Sequence, residues 1–195
     1  MADFNPAYKK AMDHEGAYSN DPDDKGAETY CGISRRWFPD WSGWIIIDGM
    51  KGHPDFPKIL KDINALQNPV KEFYKTNFWN RIKGDQIKEQ FIADELFDTV
   101  INMNPKKAPE FLQRALNCLN RNQALYPDLI VDGGIGPKTL GCLDKLNSED
   151  VKLLFKMLNV LQGTHYIEEM ERDHIQEKYC RGWFTRVEIT IGVEK

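Results

Sequence analysis

HEGAYSNDPDDKGAETYCGIS, residues 14–34, decides how the rest of the chain is read. It sets Glu15 at the end of a predicted helix, then an acidic turn containing glycine, then Thr29. The helix has its own signals. Asn5 suits an N-cap, and Pro6 then falls at the first helical position. Tyr8, Ala11, Met12 and Glu15 recur at i, i+3, i+4 and i+7 and share one face. Gly16 suits a C-terminal stop. Glu15 therefore closes an apolar stripe. Partial burial there disfavours the charged carboxylate, raises its pKa and suits a general acid at neutral pH. The competing reading is an ordinary last-turn glutamate, because glutamates are mostly exposed.

Asp21, Pro22, Asp23, Asp24, Lys25 and Gly26 form a turn-rich acidic segment. A calcium loop of the EF-hand type is excluded: it needs a ligand where Lys25 stands and a glutamate where Gly32 stands. Asp24 lies nine residues after Glu15, and Thr29 five after Asp24. A returning loop or short hairpin brings both over the helix end. Two carboxylates presented this way supply the acid and the second charge that glycosidic cleavage uses.

The segment resembles the glycoside hydrolase family 108 muramidases, phage-type endolysins also known as secretion activator proteins. Their motif reads approximately EGGYxNDPxDxGGxTxxGI. This chain matches at Glu15, Gly16, Tyr18, Asn20, Asp21, Pro22, Asp24, Gly26, Thr29, Gly32 and Ile33. It departs at Ala17, Ala27 and Cys31, which touches loop geometry and leaves the carboxylates in place. The resemblance implies an all-α, lysozyme-like fold with a small hairpin or irregular loop near the active site and a helical C-terminal block. It implies Glu15 as the catalytic acid. The Glu–Asp–Thr order is also similar to that of phage-type lysozymes, which gives supporting roles to Asp24 and Thr29. Tyr18, Asn20 and Tyr30 around the acidic turn are candidate substrate contacts. The implied reaction hydrolyses the β-1,4 bond between N-acetylmuramic acid and N-acetylglucosamine in peptidoglycan glycan strands. It needs no metal or organic cofactor. The rivals are a catalytically silent wall-binding or phage structural module, and a hydrolase of a related chitin-type polymer.

Composition sets limits. A chain of 195 residues makes one or two small domains, and 41% hydrophobic residues suffice for a core. A net charge of −4 and a pI near 5.6 leave no basic footprint for nucleic acid. Cys31, Cys118, Cys142 and Cys180 are widely spaced with no CxxC pair, which argues against a zinc cluster. The four histidines show no HExxH spacing, and there is no GxSxG elbow. MADFNPAYKKAM lacks an apolar h-region, so no signal peptide is expected. The longest apolar run, Trp44 to Ile47, is far too short to span a bilayer. Synthesis in a reducing cytosol with free thiols follows. A muramidase made there needs an export helper, a holin or a specialised secretion system, to reach the cell wall. A monomer is expected.

The middle of the chain reads as helical. Trp37, Phe38, Trp41 and Trp44 suit core packing first and sugar stacking second. Asn68 and Pro69 are expected to open a helix carrying Val70, Phe73, Tyr74, Asn77 and Phe78. From Glu89 to Met103, Ile92, Leu96, Val100 and Met103 share a face, widened by Phe97 and Ile101. Asp98 and Asn102 lie one turn apart within LFDTVINM, which resembles the family's FDxxxN helix. A hydrogen-bonded pair is the first reading of them and direct substrate contact the second.

The last half carries a second block. Lys107 to Leu119 reads as a helix. LIVDGGIGPKTLGCL, residues 129–143, is not a phosphate loop, because Pro137 stands where a Walker motif needs glycine before the lysine. It resembles the DGxxGPxT turn of small helical peptidoglycan-binding domains. Residues 148–186 read as one or two long helices. YCRGWFTRV, residues 179–187, is similar to the family's terminal FxxGWxxRV, with Trp183 and Arg186 as packing and salt-bridging residues. The expected organisation is a catalytic block at 1–98, a helical binding block at 99–187 and a tail at 188–195.

Overall fold

A short helix comes first because its apolar residues recur every third or fourth position. The computed structural model describes residues 1–12, 18–20 and 27–188. Among them α1 spans Phe4–Met12 and buries Phe4, Ala7 and Ala11. It starts slightly before the expected Asn5–Pro6 boundary, because burying the Phe4 ring draws the first turn forward. Lys9 and Lys10 sit in its last described turn, where cations complement the helix dipole. Glu15 and Asp24 lie outside the described residues.

Three short strands follow: β1 at Tyr18–Asn20, β2 at Glu28–Tyr30 and β3 at Ile33–Ser34. They form an antiparallel sheet in the order β1-β2-β3. The anticipated short hairpin is present as the antiparallel pairing of β1 with β2; residues 21–26 between them lie outside the described residues. The β2–β3 connection is two residues long. Cys31 and Gly32 both have positive φ, +45° and +74°, as a type I′ turn requires. Gly32 meets that demand freely. Cys31 is held there by the Tyr74 hydroxyl, which donates to its carbonyl at 2.8 Å.

Helices α2 (Gly43–Met50) and α3 (Asn64–Tyr74) complete a compact unit running from Phe4 to Asn77. Its core gathers Ile33, Trp44, Ile47, Leu60, Leu66 and Tyr74. α3 corrects one expectation. It begins at Asn64 rather than at Asn68–Pro69, so Pro69 lies inside it. Proline forfeits one helical hydrogen bond there. Placing Leu66 at 0% exposure outweighs that loss.

The second compact unit holds Met1–Asp3 and the chain from Phe78 onward. Met1–Asp3 dock through Ala2 N–H to the Ile87 carbonyl at 2.7 Å and Asp3 N–H to Gln90 Oε1 at 2.7 Å. Its main helices are α4 (Gln90–Asn102), α5 (Lys107–Leu119), α6 (Pro137–Leu143), α7 (Ser148–Arg172) and α8 (Cys180–Phe184). α4 packs on both α5 and α7. The boundary placed after residue 98 thus falls inside one helix of this unit. Phe97 meets Trp79 edge-on at 5.6 Å, and Phe91 meets Phe155 at 5.6 Å, so α4 is covered on two sides. Gly84 makes room for Trp79: a Cβ there would stand 2.2 Å from the indole.

One long helix, α7, and two short elements fill the stretch read as one or two long helices, and caps set their ends. Asn147 accepts from Asp150 N–H and starts α7. Asp173 ends it in extended backbone and caps the following 3₁₀ turn, His174–Tyr179, by accepting from Ile175 N–H at 3.1 Å. The fold class is the expected one: mainly α and lysozyme-like, with one small sheet among the described residues. No described helix is long and apolar enough to cross a membrane.

Candidate functional site

The hairpin sorts its residues by strand alternation. Tyr18 pairs with Tyr30, Ser19 with Thr29 and Asn20 with Glu28; Thr29 also pairs with Ser34. Side chains alternate between faces along a strand. Tyr18, Asn20, Glu28 and Tyr30 therefore share one face, while Ser19, Thr29 and Ser34 place three hydroxyls across the other. The predicted site residues are split between the two faces. Thr29 is half-buried, and among the described residues its hydroxyl makes only a long bond, 3.4 Å, to the Ala27 carbonyl. That leaves Oγ1 able to hold a water. Asn20 is exposed at the end of β1.

Tyr30 needs correction as a substrate contact. It is 2% exposed, its ring stacks on Trp41 at 6.2 Å, and its hydroxyl donates to the Leu60 carbonyl at 3.2 Å. Alternation turns it into the core. Tyr18 is partly exposed, rests edge-on against Phe56 at 4.9 Å and donates to Glu28 Oε1 at 3.0 Å. Burial, and then that bond, push its hydroxyl pKa up.

Sequence reasoning left Glu28 without a role. It is 7% exposed on β2 and carries two cations: Lys51 Nζ at 3.0 Å and Arg35 Nη1 at 3.0 Å. Both cations also reach Asp48, each at 2.7 Å, and Arg35 lies over the Trp44 ring at 4.6 Å. Two anions and two cations thereby fasten the hairpin to α2. A buried carboxylate must be paired, so a glutamate alternating with a core tyrosine was the available signal.

The quartet has a pH signature. The Arg35 guanidinium first, then Lys51, holds the Asp48 carboxyl down at about 2 against the usual 3.8. A lowered folded pKa contributes stability that is present above about 3.8 and lost as pH falls through about 2. Asp48 is half exposed, so salt weakens the effect. Carbon-detected NMR titration of Asp48 should give a midpoint near 2; a midpoint at the ordinary aspartate value would mean the quartet does not form in solution.

Asp98 and Asn102 meet as the first reading expected. Asn102 Nδ2 donates to the Asp98 carbonyl at 2.8 Å and to Oδ1 at 3.2 Å. Asp98 also accepts from Arg186 at 2.7 Å and from Gln162 Nε2 at 3.2 Å. Gln162 reaches Thr99 Oγ1 as well, at 3.2 Å. Both Asp98 carboxylate oxygens are thus committed within the fold. Trp183 stacks on Tyr166 at 5.0 Å, so it and Arg186 pack and pair as expected. Asp98→Ala should cost about 1–3 kcal/mol, because it strands a mostly buried guanidinium. Denaturant unfolding reads that cost. Unchanged stability with lost wall clearing would instead restore Asp98 as a substrate contact.

The DGGIG turn is built around Gln113, which is 2% exposed. Its Oε1 accepts from the N–H groups of Asp132 and Gly133, both at 3.0 Å, and its Nε2 donates to Asp132 Oδ1 at 2.7 Å. Gly133 supplies the positive φ, +73°. Pro137 then starts α6, as the sequence indicated. Gln113, and then the Gly134 N–H, pull the Asp132 carboxyl below its ordinary range. Among the described residues, no group of three or more His, Cys, Asp and Glu side chains is arranged to hold a metal ion.

Residues 8–103 match the family model of glycosyl hydrolase 108, and residues 107–188 match that of a predicted peptidoglycan domain. The two matches meet at the Asn104–Pro105 break. No curated protein matches the chain. Eleven solved chains do. Among them, SagA from Brucella abortus is similar in fold, with a TM-score of 0.59 and 22% identity over 94% of this chain and 88% of that one.

Proposed function

Since the chain belongs to the glycosyl hydrolase 108 family and carries a predicted peptidoglycan domain behind it, we propose that it is an N-acetylmuramidase of peptidoglycan. It cleaves the β-1,4 bond between N-acetylmuramic acid and N-acetylglucosamine. Glu15 protonates the leaving oxygen. Asp24 stabilises positive charge at the sugar or helps hold the water, and Thr29 positions that water. The observation that carries this reading is the eleven-position match from Glu15 to Ile33, lying inside the family match. The hairpin supports it, because β2 pairs antiparallel with β1 and sets Thr29 opposite Ser19. Tyr18 and Asn20 on β1 contact the glycan.

The second block, from about residue 99, contributes wall affinity. The protein works as a monomer at the cell wall, delivered by a holin or a specialised secretion system. Purified cell walls test the chemistry. Turbidity should fall, and mass analysis should find new reducing N-acetylmuramic acid ends. New N-acetylglucosamine ends, or cleavage of chitin in preference to wall, would replace the bond assignment. Binding without new ends would leave a silent wall-binding module.

A further inference from the structure

Trp37 stands apart from the aromatic cluster around it. Trp41 and Trp44 are 9% and 3% exposed, whereas Trp37 is 69% exposed. It borders a groove of about 260 Å³ with Phe38, Trp41, Phe73, Asp40 and Asn77. That is smaller than the roughly 300–1,000 Å³ of drug-sized pockets and suits a single sugar ring.

The groove is built and held. The N–H groups of Trp37 and Phe38 donate to the Ser34 carbonyl at 3.3 and 2.9 Å. Trp41 Nε1 donates to the Pro69 carbonyl at 3.2 Å, and Trp44 Nε1 to the Phe38 carbonyl at 2.8 Å. The Trp44 donor thus fixes the loop at Phe38, and the Trp41 donor ties the loop to α3 at Pro69. Phe38 meets Phe73 edge-on at 4.6 Å.

Two polar groups complete the chemistry. Asn77 spends its Nδ2 on the Phe73 carbonyl at 2.9 Å, which leaves Oδ1 as an acceptor. Among the described residues no side chain pairs with the Asp40 carboxylate. An exposed indole face beside two acceptors fits a ligand with an apolar ring face and a rim of O–H and N–H donors. A pyranose bearing an acetamido group is such a ligand. The bare carboxylate disfavours an anionic one. The geometry points to a binding subsite for one N-acetylated amino-sugar ring, stacked on Trp37 and anchored by Asp40 and Asn77. It rests on the glycan reading above and lies outside the motif of residues 14–34.

The test uses the full chain carrying Glu15→Gln, so that the probe survives, with the tetramer of N-acetylglucosamine as the probe. Titration should shift the Trp37 indole N–H resonance saturably. Trp37→Ala should weaken binding about tenfold, the loss of one stacked ring, while Trp37→Tyr should keep most of it. Asp40→Ala should weaken it as well. Trp37 is exposed, so these variants are expected to fold, and their melting transitions check that. Equal affinity in Trp37→Ala, or no saturable shift at Trp37, overturns the subsite. So does a shift produced by the wall's stem peptide alone, or a dimer in sedimentation that Trp37→Ala abolishes. Wall clearing by the wild-type chain is measured separately. Tetramer binding without clearing leaves the subsite and sinks the muramidase reading; clearing without tetramer binding does the reverse.

Discussion

Glu15→Gln will lower wall clearing by about 100- to 10,000-fold, the usual contribution of a positioned general acid. Glutamine keeps the size of the side chain and can still hydrogen-bond, but it has no proton of the required acidity to give. The leaving sugar oxygen must then depart as an alkoxide, which is where the barrier rises. Changes in binding alone would not reproduce this. An acid acts in the chemical step, so kcat should fall while the affinity for wall stays near that of the parent. The pH profile adds a second check. An acid must be protonated to work, so activity should decline on the alkaline side in the parent chain, and that limb should vanish from the residual activity of the variant. A folded Glu15→Gln protein that clears walls at most of the parent rate would remove Glu15 from the mechanism.

The parts of the molecule that the sequence made readable are those with long, regular periodicity. α5 spans the expected Lys107–Leu119 because five apolar residues recur at helical spacing. α4 spans Gln90–Asn102, within a residue of its expected ends, for the same reason. The β1–β2 hairpin was legible from the turn chemistry between its strands, and the DGGIG turn from its glycines and Pro137. What stayed hidden depends on contacts between distant residues. Three-residue strands are too short for an alternation pattern to declare itself. Tyr30 therefore read as a motif aromatic beside a loop, when its partner is Leu60, thirty residues on. Glu28 has its partners at Arg35 and Lys51, on elements whose approach no local pattern announces. The aromatic run was treated as one class, yet a turn rather than a continuous helix carries Trp37, so its ring leaves the core that Trp41 and Trp44 enter. Asp98 and Asn102 are the converse case. Their one-turn spacing already indicated a pair, and the added partners Arg186 and Gln162 enlarge it without changing its character.

Residues 1–104 expressed alone will yield an insoluble or non-cooperatively melting fragment. No Gly/Ser- or Pro-rich tether separates α4 from α5, and only Met103–Lys106 lie between them. The cut removes α5 and α7, both of which pack on α4. Ile92, Leu96 and Val100 are at most 1% exposed in the full chain, and Phe91 loses its contact with Phe155. At about 1.5–3 kcal/mol for each large apolar side chain returned to water, these four side chains cost about 6–12 kcal/mol. That is comparable to the whole stability of a small domain, about 5–15 kcal/mol. Polar losses compound it: Asp98 is left without Arg186 and Gln162, and Thr99 without Gln162. Exposed contiguous apolar surface of this kind drives association. A cut after Asn77 instead follows the chain boundary between the compact units and should spare the cover of α4, because it removes from the second unit only Met1–Asp3 with their bonds to Ile87 and Gln90. Comparing the two truncations separates the loss of α4 cover from the loss of chain length. If the 1–104 fragment is soluble, melts cooperatively and clears walls as fast as the full chain, then the helices after Asn104 are dispensable to the catalytic block, and the reading of the two blocks as one folding unit fails.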